Sequence, residues 1–172
     1  MKLKAQRVGV FVDVQNLYYS AKNLYGAKVN FGAVLDTAVA DRELIRAIAY
    51  VIKADNVDEQ KFFEALDNQG FEVKMKELQI FHGGNKKGDW DIGVAIDAVR
   101  LAPKLDVVVL VTGDGDFVPL INYLKNLGVF VEVIAFGESA SSNLRAVTDE
   151  FHDLSEDKKK YLIAPRRRFI GR

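Results

Sequence analysis

The chain has 172 residues, of which 49% are hydrophobic, and this length favours one domain that can bury a sizeable core. Basic and acidic residues number 24 each, so the net charge indicates neither an acidic nor a basic partner. The absence of cysteine excludes a disulfide, a thiolate zinc site and a cysteine nucleophile. Since no leading apolar segment resembles a signal peptide or a membrane span, we expect a soluble, cytoplasmic protein with no membrane partner.

The first half of the chain alternates between strand and helix patterns. An apolar strand ends at Asp13 and leads into a helix that Gly26 closes. The following segments have apolar spacing and end signals that predict further elements. They are a helix over residues 31–39 capped by Asn30, a strand over 44–52, a helix over 58–68 stopped by Gly70, and a long alternating strand near a sheet edge over 71–81.

The second half repeats the alternation after a basic, glycine-rich loop over residues 82–88. A helix that begins at residues 89–91 is predicted to face the core with Ile92, Ala95, Ile96 and Val99, and Pro103 ends it. The apolar run 107–111 predicts a strand buried on both faces. The remaining predicted elements are a helix with a core stripe of Phe117, Leu120, Ile121 and Leu124, a strand over 129–135, a helix over 143–151 and an extended piece over 151–154.

This alternation predicts an α/β fold, a three-layer α/β/α sandwich around a central, mainly parallel sheet of Rossmann-like topology. Ligands bind such sheets beyond the carboxyl ends of the strands, where the strand order reverses. We expect the two most apolar strands, 8–12 and 107–111, to be central neighbours. Asp13, Asp114 and Asp116 would then converge at one edge, and Asp91 should join them.

Each of these acids also has an ordinary structural interpretation. Asp13, Asp91 and Asp116 stand at predicted helix N-termini, where aspartate commonly caps, and Asp116 is better placed than Asp114 to cap the helix at residue 117. Several carboxylates at one edge would nevertheless repel each other, by about 4 kcal/mol per close pair. A cation resolves this conflict, and an oxygen-only ligand set favours Mg²⁺ or Mn²⁺.

Other polar residues carry weaker signals. Asp97 is as compatible with a surface ion pair to Arg100 as with a metal site, and Asp89 is more typical of a solvated turn. Lys86 and Lys87 stand beside glycines, where they could hold phosphates or simply be exposed. The two histidines of the chain are too scattered to form an acid/base pair.

Three motifs in order resemble the NYN domain of the LabA-like branch, within the PIN-like nuclease group. They are FVDVQN, KGDWD followed by Asp97, and TGDGDF. The resemblance spans residues 8 to about 154 and implies a compact α/β/α domain with a Mg²⁺- or Mn²⁺-dependent acidic site that cleaves RNA. Its acidic positions match Asp13, Asp91, Asp114 and Asp116, and its asparagine and small hydroxyl residue match Asn16 and Thr112.

We therefore expect an endoribonuclease that hydrolyses phosphodiester bonds of single-stranded RNA with a bound divalent ion. Asn16 would orient a water or a phosphate oxygen, and Lys86, Lys87 and Arg145 would guide the RNA backbone. A non-catalytic nucleotide- or RNA-binding regulatory module and a folded relic that binds other proteins stay open as alternatives. A haloacid-dehalogenase-type phosphatase is disfavoured, because position 15 is Gln.

The charge is unevenly distributed along the chain. Residues 155–172 contain seven basic and two acidic residues, for a net charge of +5, which leaves −5 on the remainder. We expect residues 1–154 to form the nuclease-like domain and residues 155–172 to be a basic, flexible tail that tethers RNA. The sequence does not determine the oligomeric state, and a homo-oligomer is as compatible with it as a monomer.

Overall fold

A computed structural model describes residues 2–54, 57–84, 86–87 and 89–165. The strands are β1 (Arg7–Asp13), β2 (Lys28–Val29), β3 (Glu43–Lys53), β4 (Glu72–Glu77), β5 (Gln79–Ile80), β6 (Lys86–Lys87), β7 (Val107–Val111), β8 (Phe130–Ala135), β9 (Glu150–Asp153) and β10 (Leu162–Ile163). The α-helices are α1 (Val14–Tyr25), α2 (Phe31–Val39), α3 (Val57–Asn68), α4 (Asp91–Leu101), α5 (Val118–Asn126), α6 (Ser142–Val147) and α7 (Lys158–Tyr161). None of the described helices is long and apolar enough to cross a membrane.

The central sheet has six strands in the order β4-β3-β1-β7-β8-β9, and every neighbouring pair is parallel. The chain first builds outward from β1 through β3 to β4, then returns to β7 and builds outward in the other direction. The order therefore reverses between β1 and β7, whose carboxyl ends lie side by side with Val12 opposite Val111. This confirms the predicted neighbours, and the reversal of strand order between them marks the crevice at their carboxyl ends as the candidate ligand site.

Helices cover both faces of this sheet, which confirms the three-layer α/β/α sandwich. On one face α1, α2 and α3 bury Leu17, Val34 and Leu66, and on the other α4 and α5 bury Ala98 and Ile121. The strand β7 contributes alternate residues to the two cores and is buried along its whole length. An uninterrupted apolar run is what a strand covered on both faces requires.

Local end signals hold where they were predicted. Gly26 ends α1 in the left-handed conformation with φ 59°, and the Asn30 side chain caps α2 by accepting a hydrogen bond from the Ala33 N–H at 3.2 Å. These signals act within one turn of the chain, so the sequence alone predicts them.

The predicted core face of α4 is wrong, although the helix itself is confirmed. Ile92 and Ile96 are 75% and 58% exposed, whereas Val94, Asp97 and Ala98 face the core. The buried face of α4 contains Asp97, whose charge is neutralised inside the fold. A prediction based on the spacing of apolar residues cannot identify a buried face that contains a charged residue. The long strand predicted over residues 71–81 also divides into β4 and β5, with Ile80 70% exposed.

The helix predicted over residues 143–151 ends earlier than expected. The helix α6 stops at Val147, and Glu150–Asp153 forms the parallel edge strand β9 beside β8. The Thr148 hydroxyl donates at 2.9 Å to the Val131 carbonyl oxygen at this point. Pairing with a strand that lies distant in sequence therefore ends the helix, and no local breaker residue announces it.

The expected flexible tail does not begin at residue 155. A 3-10 helix (Leu154–Asp157) leads into α7, and β10 pairs antiparallel with β2. The Tyr161 ring is buried, and its hydroxyl group lies 2.8 Å from the Thr37 hydroxyl oxygen. Truncation after Leu154 would remove this ring from the core. The arginine-rich end of the predicted tail, residues 166–172, lies outside the described residues.

Candidate metal centre

The crevice begins at Asp13, the last residue of β1 and the N-cap of α1. One carboxylate oxygen accepts the Asn16 N–H at 3.1 Å, and the other accepts the Thr112 hydroxyl at 3.3 Å. Burial raises the pKa of the Asp13 carboxyl, these two hydrogen bonds oppose the rise, and the charges of Asp114 and Asp89 add to it. Asp13 thus caps a helix, as the structural interpretation expected, and also lines the crevice.

Hydrogen bonds tie the turn after β7 to the start of α1. The Asn16 side-chain oxygen accepts the Gly113 N–H at 2.9 Å, and the Thr112 hydroxyl oxygen accepts the Asp114 N–H at 3.2 Å. A Cβ on Gly113 would lie 3.1 Å from the Ala140 Cα, so a side chain would crowd the loop that crosses this turn. The two central strand ends are therefore held in one arrangement.

Within this turn the capping roles of the two aspartates are opposite to the prediction. Asp114 caps the short 3-10 helix Gly115–Phe117 by accepting the Asp116 N–H at 2.9 Å. Asp116 lies in the first turn of that helix and is exposed. The 3-10 helix precedes α5, so the capping position lies before Gly115, at Asp114. The apolar spacing of α5 does not predict this additional turn.

Asp91, the first residue of α4, lies close to the turn that contains Asp114 and Asp116. The N-cap residue before it, Trp90, makes no capping bond, and its indole N–H instead donates to the Val51 carbonyl oxygen at 2.8 Å. The Trp90 ring also packs on Tyr50, with ring centroids 5.3 Å apart. These contacts fix the start of α4 and leave the Asp91 carboxylate pointing to the acidic turn.

Asp91, Asp114 and Asp116 form the acidic cluster, in which one carboxylate oxygen of each residue lies within 4.8 Å of the others. Burial and, to a lesser extent, the nearby carboxylates together raise the pKa of the Asp91 carboxyl to about 6. In the part of the chain that the structure describes, no basic side chain forms an ion pair with any of the three. Their mutual repulsion is not neutralised by these residues.

The acidic cluster fits a divalent cation by its chemistry and its size. Oxygen ligands at about 2.1 Å from a Mg²⁺ ion lie at most about 4.2 Å apart, so a small rotation of the side chains would bring three carboxylates into range. The cluster contains oxygen donors alone, which favours Mg²⁺ or Mn²⁺ over zinc. Asp13 is outside the group of three but faces the same space.

The acidic cluster opens into a cleft of about 410 Å³. Acids line one side of it, together with Trp90 and Ser139, and the polar face of α1 forms the other. The residues on the α1 side, which we call the α1 wall, are Gln15, Asn16, Tyr19, Ser20, Asn23 and Leu24. Sequence reasoning singled out only Asn16 among them. The available signal was a polar, uncharged helix face that directly follows Asp13.

Asp89 and Asp97, the two further acidic candidates, lie in different environments. Asp89 lines the cleft beside Asp91 and Asp114, and its part in a metal site stays a prediction. Asp97 is buried elsewhere, where it accepts hydrogen bonds from the Tyr50 hydroxyl at 2.8 Å and the Lys74 ammonium at 2.7 Å, and it pairs with Arg100 at 2.9 Å. Asp97 therefore serves the packing of α4 against the sheet, and the expected exposed ion pair is one part of a buried network.

Of the three cations predicted to guide RNA, Arg145 does not line the described cleft. The Arg145 guanidinium pairs with Asp153 at 3.3 Å and stacks 4.1 Å from the Phe151 ring centroid. The backbone of Lys86 and Lys87 forms β6, but their side chains lie outside the described residues. Their role in guiding RNA stays a prediction.

Comparison with known proteins agrees with the fold and shows the family. The family model described as NYN domain matches residues 7–155, and the chain belongs to this family. It is 30% identical over 165 residues to the Low amplitude and bright protein LabA of Synechococcus elongatus, covering 91% of this chain and 88% of that protein. The family membership confirms the resemblance seen in the three motifs.

Two further proteins are similar to this chain. An uncharacterized protein of Methanocaldococcus jannaschii is 34% identical over 99 residues, which cover 56% of this chain and 37% of that protein. The crystal structure of a protein of unknown function from Vibrio parahaemolyticus superposes with a TM-score of 0.85 at 30% identity. That match covers 95% of this chain and 99% of the other, so the whole architecture is shared.

Proposed function

We propose that this protein is a metal-dependent endoribonuclease that hydrolyses single-stranded RNA at the acidic cluster. The observation that carries the proposal is the convergence of three carboxylates, without a described basic partner, at the reversal point of a parallel sheet. Membership of the NYN family, whose members are nuclease-like, supports the same reaction class. The names of these relatives state no activity.

The protein's own groups would divide the work. A Mg²⁺ or Mn²⁺ ion held by Asp91, Asp114 and Asp116 would supply hydroxide at neutral pH and neutralise charge on the phosphate. Asp13 is a stronger base than an exposed aspartate because its pKa is raised, so it can accept a proton from water at its carboxylate oxygen. The Asn16 side-chain oxygen accepts the Gly113 N–H, so its amide NH₂ group would be the part that orients a water or a phosphate oxygen.

A basic surface at the far end of α1 supports a polyanionic substrate. The Lys158 ammonium lies 4.6 Å from the Tyr25 ring centroid, and it is followed in α7 by two further exposed lysines. The cleft runs along α1 as far as Leu24, the residue before Tyr25. A substrate that extends from the acidic cluster past the far end of α1 would therefore bring its next phosphates to α7, where lysines attract them.

A circular single-stranded RNA tests the proposal, because only an endonuclease can open a circle. Wild-type protein with Mn²⁺ should linearise it under single-turnover conditions, and chelation should stop the reaction. Asp114→Asn keeps an oxygen that can accept the Asp116 N–H but lowers the ligand charge, so the rate should fall by orders of magnitude.

Asp67→Asn provides the matched control, since it removes the same charge from an exposed position of α3. This variant should cleave like the wild type. A wild-type protein that binds the circle but leaves it intact would contradict the enzyme and favour a non-catalytic RNA-binding module. Equal rates for Asp114→Asn and the wild type would show that the reaction occurs elsewhere.

A further inference from the structure

The α1 wall differs from the rest of the cleft in its chemistry. Its residues are uncharged, whereas the charged residues that the described lining contains are all aspartates. Tyr19 is 48% exposed, and an edge-on contact with Tyr18, at 5.3 Å between ring centroids, holds its ring. The wall therefore offers an aromatic surface next to an acidic site.

The amides of this wall are available for a ligand. Gln15 and Asn23 make no side-chain hydrogen bond with the residues that the structure describes, and Asn23 is exposed. Each amide has two N–H donors and one oxygen acceptor. Gln15 and Tyr19 are four residues apart and Tyr19 and Asn23 are four residues apart, so the three side chains line one side of the helix.

We propose that the α1 wall is a nucleobase subsite, in which an unpaired base stacks on Tyr19 and its polar edge meets the amides of Asn23 and Gln15. This inference rests on the proposed function, since it places the phosphate of the same nucleotide at the acidic cluster. It defines the substrate as nucleic acid with an unpaired base, because a base inside a duplex exposes no face for stacking.

The dimensions of the cleft agree with this occupant. An α-helix rises about 1.5 Å per residue, so Tyr19 lies about 9 Å along α1 from Asp13. One nucleotide can bridge that span from its phosphate to its base. A second phosphate is a poorer occupant of the wall, because no described lining residue is basic and the opposite side is acidic.

Non-hydrolysable probes test the subsite without any cleavage step. Adenosine 5′-monophosphate and ribose 5-phosphate carry the same phosphate, but only the first has a base. Their dissociation constants can be measured in Mn²⁺ through the fluorescence of Trp90, the single tryptophan of the chain, which lines the cleft. Stacking on one aromatic ring should make the nucleotide bind on the order of tenfold more tightly.

Tyr19→Ala should remove most of this tenfold preference, and Asn23→Ala should remove part of it. Phe130→Ala is the matched control, because Phe130 is an exposed aromatic residue at the start of β8 that does not line the cleft, and it should keep the preference. Both side chains are substantially exposed, so both variants should fold, which circular dichroism and melting would check.

Three results would overturn the subsite: equal binding of the two probes to the wild type, no binding of either, or equal losses in Tyr19→Ala and Phe130→Ala. The outcome is separate from that of the proposed function. If the nucleotide preference depends on Tyr19 while the circular RNA stays intact, the subsite stands and the nuclease fails. If the circle opens while the probes bind equally, the reverse holds.

Discussion

Two aspartates of α4, six residues apart, occupy opposite electrostatic environments. Burial alone would raise the pKa of Asp97, but hydrogen bonds from Lys74 and Tyr50 and the charges of Lys74 and Arg100 lower it. Burial raises the pKa of Asp91 to about 6, and its charged neighbours are further aspartates. One helix therefore presents a neutralised carboxylate to the core and an unneutralised one to the cleft.

This difference separates an acid that the fold neutralises, Asp97, from the acid that we propose as a metal ligand, Asp91. The fold can supply cations where it needs them: Arg42 and Glu132 form a second buried pair, with nitrogen-oxygen distances of 2.7 and 2.9 Å. Among the described residues, no such partner reaches the acidic cluster. Crowded acids lower stability unless a cation from solution joins them, which is the usual compromise at a functional site.

Removing the charge of Asp97 should have the largest effect on stability. Asp97→Asn weakens hydrogen bonds from a half-buried ammonium and a buried hydroxyl, so the free energy of unfolding at pH 7 should fall by about 1.5–3 kcal/mol. Arg100 adds little because it is mostly exposed. Urea unfolding would measure the loss.

RNA cleavage by the folded Asp97→Asn protein should be unchanged, because Asp97 does not line the cleft. A stable Asp97→Asn variant that had lost cleavage would place Asp97 in the active site after all. The comparison between the two acids of α4 would then fail.

Removing the charge of Asp91 should have a smaller effect of the opposite sign. Because the folded-state pKa of Asp91 is about 6 and that of an exposed aspartate is about 3.9, the neutral form is favoured in the folded protein. This contribution to stability is complete below about pH 4 and is lost as the pH rises through about 6. Asp91 is only partly buried, so solvent screening reduces the effect.

With a chelator present, Asp91→Asn should therefore equal or exceed the wild type in melting temperature at pH 7.5. Its stability should also change less than that of the wild type between pH 4 and 7. Asp67→Asn should follow the wild-type pH profile. A lower melting temperature for Asp91→Asn at pH 7.5 would mean that this carboxylate stabilises the fold as Asp97 does.

The features that were predicted correctly are determined by residues close to one another in the sequence. The cap at Asn30 and the stop at Gly26 act within one helical turn, and the apolar run of β7 reports burial on both faces. The position of Asp13 at the end of β1 followed from the same reasoning, combined with the rule that parallel strands share one functional edge.

The errors concern residues whose environment comes from distant parts of the chain. Asp97 disrupts the apolar stripe of α4 in the sequence, and only Lys74 on β4 and Tyr50 on β3 make its burial acceptable. Tyr161 looked like part of a solvated tail, yet it is buried against α2. The α1 wall was missed because polar helix faces are usually solvated, and only the assembled cleft distinguishes this one.

The change in unfolding free energy on adding Mn²⁺ tests most directly whether the acidic cluster binds a cation. At a hundredfold excess of Mn²⁺ over its dissociation constant, the unfolding free energy of the wild type should rise by about 2.7 kcal/mol. Asp97→Asn should start from a lower stability and show the same rise, whereas Asp91→Asn should lose most of it. No rise in the wild type, or an equal rise in all three proteins, would contradict a metal site at Asp91, Asp114 and Asp116.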